Sequence, residues 1–216
     1  MTPDTPRTVW LTSAYLAPVQ YYTKIYAAER VVEERAEPFL KQTYRNRCVI
    51  AGPQGPLALT IPVEHDGKGL RPTRDIRISD HGNWRHLHWT AMVSAYRNSP
   101  FFDYYADDFA PLYTRRFEFL TDFNAALREV VTELLGIRTE TVINDTQPCA
   151  TDVRPEGDFR ESIRPKAGHA GDAHFRPVPY YQVFAPRTGF LPNLSIADLL
   201  FNMGPEARIV LRDSIV

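Results

Sequence analysis

Val9-Trp10-Leu11-Thr12-Ser13-Ala14-Tyr15-Leu16-Ala17-Pro18 is the stretch whose reading decides the fold. Val9 to Thr12 reads as a short buried strand, and Ser13 to Pro18 as the turn that leaves it. From Val19 to Ala28 the apolar positions Val19, Tyr22, Ile25 and Tyr26 share one helical face. A strand, a loop and a helix in that order form the opening unit of an α/β fold. It brings the free amides at the helix start close to anything bound at the strand end. The loop lacks a glycine-rich run, so neither a dinucleotide fingerprint nor a phosphate-binding P-loop is present. Upstream, residues 1–8 carry three Thr and two Pro without an apolar core. They read as a flexible tail, not a signal peptide, ahead of one expected domain over 9–216.

Downstream, Arg30-Val31-Val32-Glu33-Glu34 reads as a second strand. Val49-Ile50-Ala51, the turn Gly52-Pro53-Gln54-Gly55 and the run Leu57 to Val63 read as a hairpin, with Leu57, Leu59, Ile61 and Val63 on its inner face. Arg74 to Ser79 is a further strand candidate, with Ile76 and Ile78 inward. A long, largely buried helix is expected from Trp84 to Arg97, with Trp84, Leu87, His88, Ala91 and Ala95 on one face and Trp89, Met92, Val93 and Tyr96 widening it. Ser99 and Pro100 are expected to start a short helix as N-cap and first residue. Phe117 to Leu135 is amphipathic and ends at Gly136. Thr139 to Ile143 and Tyr180 to Phe184 read as strands. Ser195 should cap a helix over Ile196–Met203, and Ala207 to Leu211 reads as a last strand. Between them, about 145–178, Pro, Gly, Arg, Asp and His dominate and no apolar period survives, so a long loop is expected. The expected class is α/β (or α+β): a single domain with a mixed β-sheet flanked by helices and this Pro/Gly-rich loop.

Charge and cysteine usage narrow the function. Lys plus Arg is 25 against 26 for Asp plus Glu, which removes any global signature of nucleic-acid or anionic-membrane binding. Cys48 and Cys149 form neither a zinc pattern nor a disulfide framework, so a reduced, cytoplasmic setting is expected. No apolar run is long enough to span a bilayer. No metal site is expected: the acid pair Asp107-Asp108 has no partnered His or Glu spacing.

One local cluster stands out. Lys41-Gln42-Thr43-Tyr44-Arg45-Asn46-Arg47-Cys48 leads into the hairpin. Continued outward as a strand, it puts Lys41, Thr43, Arg45 and Arg47 on one face and Gln42, Tyr44, Asn46 and Cys48 on the other. Cations without an intervening acid fit a solvated, protected sheet edge. They equally fit an anion site, since arginine forks match carboxylate and phosphate. Tyr44 beside these cations could stack on RNA, against which the near-neutral net charge argues. His88 on its apolar stripe reads either as a core histidine satisfied by a hydrogen bond or as a proton-transfer group at a cleft wall. Arg160 and Lys166 add cations from the long loop. Ser195 and Asp198 read as helix capping, with no serine-histidine-acid set assembled around them.

Several separated blocks together resemble the WbqC-like family. They are Tyr15-Leu16-Ala17-Pro18 with Tyr21-Tyr22; Lys41 to Arg47; Leu59 to Val63; Trp84 with His88-Trp89; Ala95-Tyr96 with Ser99 to Phe102; Asp158-Phe159-Arg160 with Pro165-Lys166; and Gln182 to Phe184 through Asn193-Leu194-Ser195 to Asp198–Asn202. Ala17 stands where the family pattern has a second proline. The resemblance implies a bacterial protein, some of whose relatives are encoded in surface-polysaccharide (O-antigen) gene clusters. The expectation is an enzyme, a possible transferase, acting by group transfer on an anionic nucleotide-linked sugar. The alternative is a non-catalytic binding or scaffold protein of the same pathway. The resemblance brings no mechanism or cofactor with it. It favours ligand binding by the basic block, with Lys41, Gln42, Arg45, Asn46 and Arg47 as substrate contacts, Arg160 and Lys166 closing over from the loop, and His88 as the catalytic candidate.

Overall fold

Three parallel strands carry the architecture. In the computed structural model, which describes residues 7–64, 69–148, 157–166 and 168–216, β1 (Thr8–Thr12), β2 (Arg30–Glu34) and β5 (Glu140–Asn144) form one sheet in the order β1-β2-β5. The register aligns Thr12 with Glu34 and Glu34 with Asn144, so the three carboxyl ends lie side by side. Parallel neighbours need a crossover. Helix α1 (Val19–Ala27) supplies the first, as the opening stretch of sequence requires. The free edge of β1 is covered: Trp10 donates to the Gly157 carbonyl (3.0 Å) and accepts from the Phe159 amide (3.0 Å).

The antiparallel pair is a separate two-stranded sheet, β3 (Arg47–Gly52) and β4 (Gly55–Thr60). Its turn lies where the Gly52-Pro53-Gln54-Gly55 signal put it, with Gly55 at φ +120°. Parallel and antiparallel pairs therefore both occur in this α/β fold, in two sheets. Helices α2 (Trp84–Tyr96), α3 (Phe102–Thr114) and α4 (Leu120–Leu134) follow. After the loop come α5 (Ala185–Thr188), α6 (Ile196–Met203) and α7 (Ala207–Asp213).

Helix α6 is buried from Ile196 to Asn202 and packs against α1, α2, α3, α7 and β3. Phe201 meets the rings of Tyr96, Phe102 and Phe109 at 5.0–5.3 Å between centroids. A buried aromatic of this kind contributes about 2–3 kcal/mol. Ser195 caps the helix, accepting from the Ala197 amide (3.3 Å) while its hydroxyl donates to the Leu16 carbonyl (2.8 Å). Val19 donates to the Leu194 carbonyl (3.0 Å), and Ile196 to that of Ala17 (2.9 Å). The chain's last quarter thus closes onto its opening turn. Among the described residues no helix is long and apolar enough to cross a membrane, and none of their His, Cys, Asp and Glu side chains gather as a metal site.

Several local expectations change. Residues 41–46 form turns, and the strand begins at Arg47. The alternation read into 41–46 was one of charge, which does not by itself supply a strand partner. Residues 74–79 form a 3-10 turn (Thr73–Asp75) and isolated bridges, although Ile76 and Ile78 are buried as expected. Leu57 and Leu87 are exposed rather than inward. The stripe of α2 runs through Trp84, His88, Met92, Ala95 and Tyr96. Helix α3 starts at Phe102 with Phe101 before it, and the Ser99 hydroxyl donates back to the Tyr96 carbonyl (2.7 Å). Tyr180–Phe184 is not a strand. Residues 207–211 are helical because Ala207, Val210 and Leu211 are the buried positions, a three-four spacing, while Ile209 faces solvent. The described parts of 145–178 contain no helix or strand, yet Phe159, Ile163 and Phe175 are buried.

Candidate functional site

A network of buried charges sits at the carboxyl ends of the parallel strands. Strand β2 ends in Glu33 and Glu34, both fully buried, and Arg35, Ala36 and Glu37 continue into a bend. Glu33 accepts from Arg35 Nε (2.6 Å) and is also paired with Arg128 of α4. Glu34 shapes the bend: one carboxylate oxygen accepts from the amides of Ala36 (2.8 Å) and Glu37 (3.2 Å), and the other from Asn144 Nδ2 (2.7 Å) at the end of β5. Ligands of open α/β sheets bind at this edge.

Two of the sequence-predicted cations meet here. Arg45 is 1% exposed, and its Nη2 is paired with Glu37. Arg160 grips Asp158 with both prongs of its side-on edge (2.9 and 2.7 Å) and turns Nη1 toward Glu34 (3.6 Å) and Glu37 (3.8 Å). Glu37 therefore lies between two arginines contributed by segments far apart in the chain. Burial raises the Glu37 carboxyl above the ordinary carboxylate range, opposed by Arg45 and Arg160 and reinforced by Glu34. Burial likewise lowers the Arg35 guanidinium, against the pull of nearby acids such as Asp122. Asn124 of α4 supports the site, donating to the Arg45 carbonyl (2.8 Å) and to the Ser13 hydroxyl (3.1 Å). Among the described residues, Arg45 Nε, Arg35 Nη2 and Asn124 Oδ1 of this network are buried without a hydrogen-bond partner, and Glu33 Oε2 has only its ion pair with Arg128.

The other predicted contacts separate from this pair. Asn46 is buried and fastens the hairpin, donating to the Ile61 carbonyl (2.9 Å). Arg47 lies along the hairpin and donates to Thr60 Oγ1 (3.2 Å). Lys41, Gln42 and Lys166 are exposed, with Gln42 at φ +60°.

His88 lies in an aromatic layer beneath the opening turn. Its Nδ1 is 3.0 Å from the Tyr15 hydroxyl, which is 2.9 Å from that of Tyr113. Trp84 packs edge-on against the imidazole, and Tyr15 stacks beside it. Burial lowers its pKa to about 4, only partly offset by a hydrogen bond to the Thr60 backbone. The ring is neutral at pH 7 and held on two sides inside the core. Its link to the charge network is indirect: the Tyr15 amide donates to the Tyr44 carbonyl (2.8 Å), one residue before Arg45.

A surface cavity of about 310 Å³ is lined by other residues, among them Arg77, Asp80, Arg85, Arg116 and Glu118. Its arginines are paired with Glu118 or Asp80. Sequence reasoning missed Glu33, Glu34, Glu37, Asn124 and Arg128. The available signal was Glu33-Glu34-Arg35-Ala36-Glu37, a dense charge run directly after two buried valines, where a parallel strand ends.

The profile of the WbqC-like protein family matches residues 13–155. The chain belongs to that family. The match takes in the opening turn, Glu33 to Glu37, the Arg45 block, His88 and all of α4; Asp158 and Arg160 lie beyond it. The chain is also 29% identical over 196 residues to the uncharacterized protein Rv1507c of Mycobacterium tuberculosis, covering 81% of this chain and 84% of that one. No solved structure matches it.

Proposed function

We propose that this WbqC-like protein is a cytoplasmic enzyme of bacterial surface-polysaccharide biosynthesis, a transferase that binds an anionic, nucleotide-linked sugar at the carboxyl end of its parallel sheet. The observation that carries this reading is the meeting of Arg45 and Arg160 over Glu37, with a buried Arg45 Nε left without a partner. A guanidinium in this setting suits a phosphate or carboxylate group. The pathway rests on the family resemblance, through the relatives encoded in O-antigen gene clusters. The enclosure of His88 favours a core role for it, so the proton-transfer group of this reading is sought among the side chains of the charge network.

The test is thermal stabilisation across nucleotides, nucleotide-sugars, acyl-CoA species and simple anions, with and without magnesium. The expected result is a selective shift with a nucleotide-sugar that Arg45→Lys removes. Because Arg45 is buried, lysine is a better probe than alanine: it retains the charge opposite Glu37 and loses the planar fork. The absence of any anion-dependent shift would overturn the proposal.

One observation favours the second reading, a non-catalytic binding or scaffold protein. Arg35, Arg45, Arg128 and Arg160 each already have a carboxylate partner within the protein, so the network is paired without a ligand. That reading predicts no ligand shift and a stable protein partner.

A further inference from the structure

Arg45 uses only half of its side-on edge. Nε–H and the nearer Nη2–H of a guanidinium point the same way and together hold the two oxygens of one oxyanion. Arg160 shows the full arrangement on Asp158, with Nε and Nη2 each taking one oxygen. Arg45 offers the same edge to Glu37, but only Nη2 is engaged; Nε is buried and without a partner. Leaving a buried charged donor unused is costly, so an oxyanion able to take both prongs would bind Arg45 better than Glu37 does.

Glu37 is also the member of the network best placed to leave. It sits in a bend, outside any helix or strand, and its side chain is 11% exposed against 1% for that of Arg45. Its contact with Arg160 Nη1 is loose, at 3.8 Å. Glu34 and Asp158, by contrast, are fixed by backbone amides, Asn144 or a two-pronged arginine. The groups facing Glu37 are Arg45 from the turn before β3, Arg160 from the 157–166 segment and Glu34 from the end of β2. Arg35, Arg45, Arg128 and Arg160 each already face a carboxylate, so a further anion adds like charge to the cluster unless Glu37 moves out or takes a proton.

We propose that Glu37 is a place-holder: it occupies the oxyanion seat of Arg45 and Arg160 in the free protein, and the phosphate or carboxylate group of the ligand displaces it as Glu37 takes up a proton. This deepens the anion-site reading given above and rests on it. Affinity for an oxyanion then rises as pH falls toward the range in which Glu37 protonates, because the displaced side chain is accommodated more easily when neutral.

The experiment is calorimetric titration of the whole chain with sodium sulfate, standing for a phosphoryl group, and sodium acetate, standing for a carboxylate. Wild type, Glu37→Gln and Arg45→Lys are compared in buffers of different ionisation enthalpy. Sulfate is a good probe since it does not titrate near neutral pH. The expected result is that Glu37→Gln binds the preferred anion roughly tenfold more tightly or better, since no like charge has to be displaced. Wild type should take up as much as about one proton per anion bound, and Arg45→Lys should lose the binding. Should Glu37→Gln fail to fold, wild-type proton uptake decides alone. Arg45-dependent binding that Glu37→Gln leaves equal or weaker, without proton uptake in wild type, would overturn the place-holder role and leave the anion site standing. No Arg45-dependent binding of either anion would overturn both.

Discussion

Replacing Asp198 with asparagine should remove a stability change of about 3 kcal/mol between acid and neutral pH. Asp198, in the first turn of α6, is fully buried, and no Lys, Arg or His pairs with it among the described residues. Three neutral donors reach its carboxylate: the hydroxyls of Tyr96 (2.8 Å) and Tyr180 (2.7 Å), and Gln182 Nε2 (3.0 Å). They only partly offset desolvation, which raises the pKa to about 6 from an ordinary value of 3.8. A rise of two units is worth about 3 kcal/mol. The sign follows from linkage: the folded state holds this proton more tightly than the unfolded chain does. The stabilisation is therefore complete below about pH 3.8, is lost as pH rises through about 6, and is gone above that. Asparagine does not titrate. Its amide nitrogen leaves one tyrosine hydroxyl without an acceptor, a cost of about 1–3 kcal/mol that does not vary with pH and so cancels from the comparison. Urea unfolding of both proteins at several pH values from 3.5 to 7.5 gives the difference directly. Wild-type stability minus that of Asp198→Asn should fall by about 3 kcal/mol across the range. Two curves parallel within about 0.5 kcal/mol would refute the reasoning, since they would mean that solvent or a cation reaches the carboxylate.

Three further outcomes are expected. The His88 imidazole, followed by NMR, should titrate near pH 4, so that its contribution to stability is present above pH 6.5 and lost as pH falls toward 4; a midpoint near 6.5 would show an open site. Arg45→Met should lower the unfolding free energy by about 3–5 kcal/mol, because Glu37 is left buried and unpaired, and adding Glu37→Leu should recover most of that loss in urea melts. Gly204→Ala should destabilise by about 2–4 kcal/mol: the backbone is at φ +52°, and a Cβ would lie 2.5 Å from the Phe101 ring, so a wild-type melting temperature would contradict the packing described.

The parts of the candidate site differ in how far sequence could reveal them. Arg45 and Arg160 were legible as cations in distinctive blocks, but their common partner was not. Glu37 lies 8 residues before Arg45 and far from Arg160, and it meets both because the 157–159 segment runs along β1 while Arg45, in the turn before β3, reaches the bend that follows β2. Lys41 and Lys166 had the same charge signal as Arg45 and ended in solvent. Charge alone does not tell a buried arginine from an exposed lysine. His88 was recognisable as a residue on an apolar stripe; its enclosure by Tyr15, Trp84 and Thr60 depends on three separate segments.

What the sequence by itself determined is whatever local spacing encodes. The β1–α1 opening, strand β2, the Gly52–Gly55 hairpin turn, the apolar stripes of α2 and α4 and the Ser195 cap all follow from periods of two or 3.6 residues and from turn or cap chemistry within a few positions. Tertiary structure alone decided the rest. The five residues Ala207–Leu211 suit strand or helix equally, and became helical because the core accepts Ala207, Val210 and Leu211 on one side. The charge network depends on strand order, because order β1-β2-β5 aligns Glu34 with Asn144 and leaves Arg160, carried along the edge of β1, within reach of Glu34. No local pattern specifies that order. It is set by which crossovers bury the most apolar surface without stranding a charge.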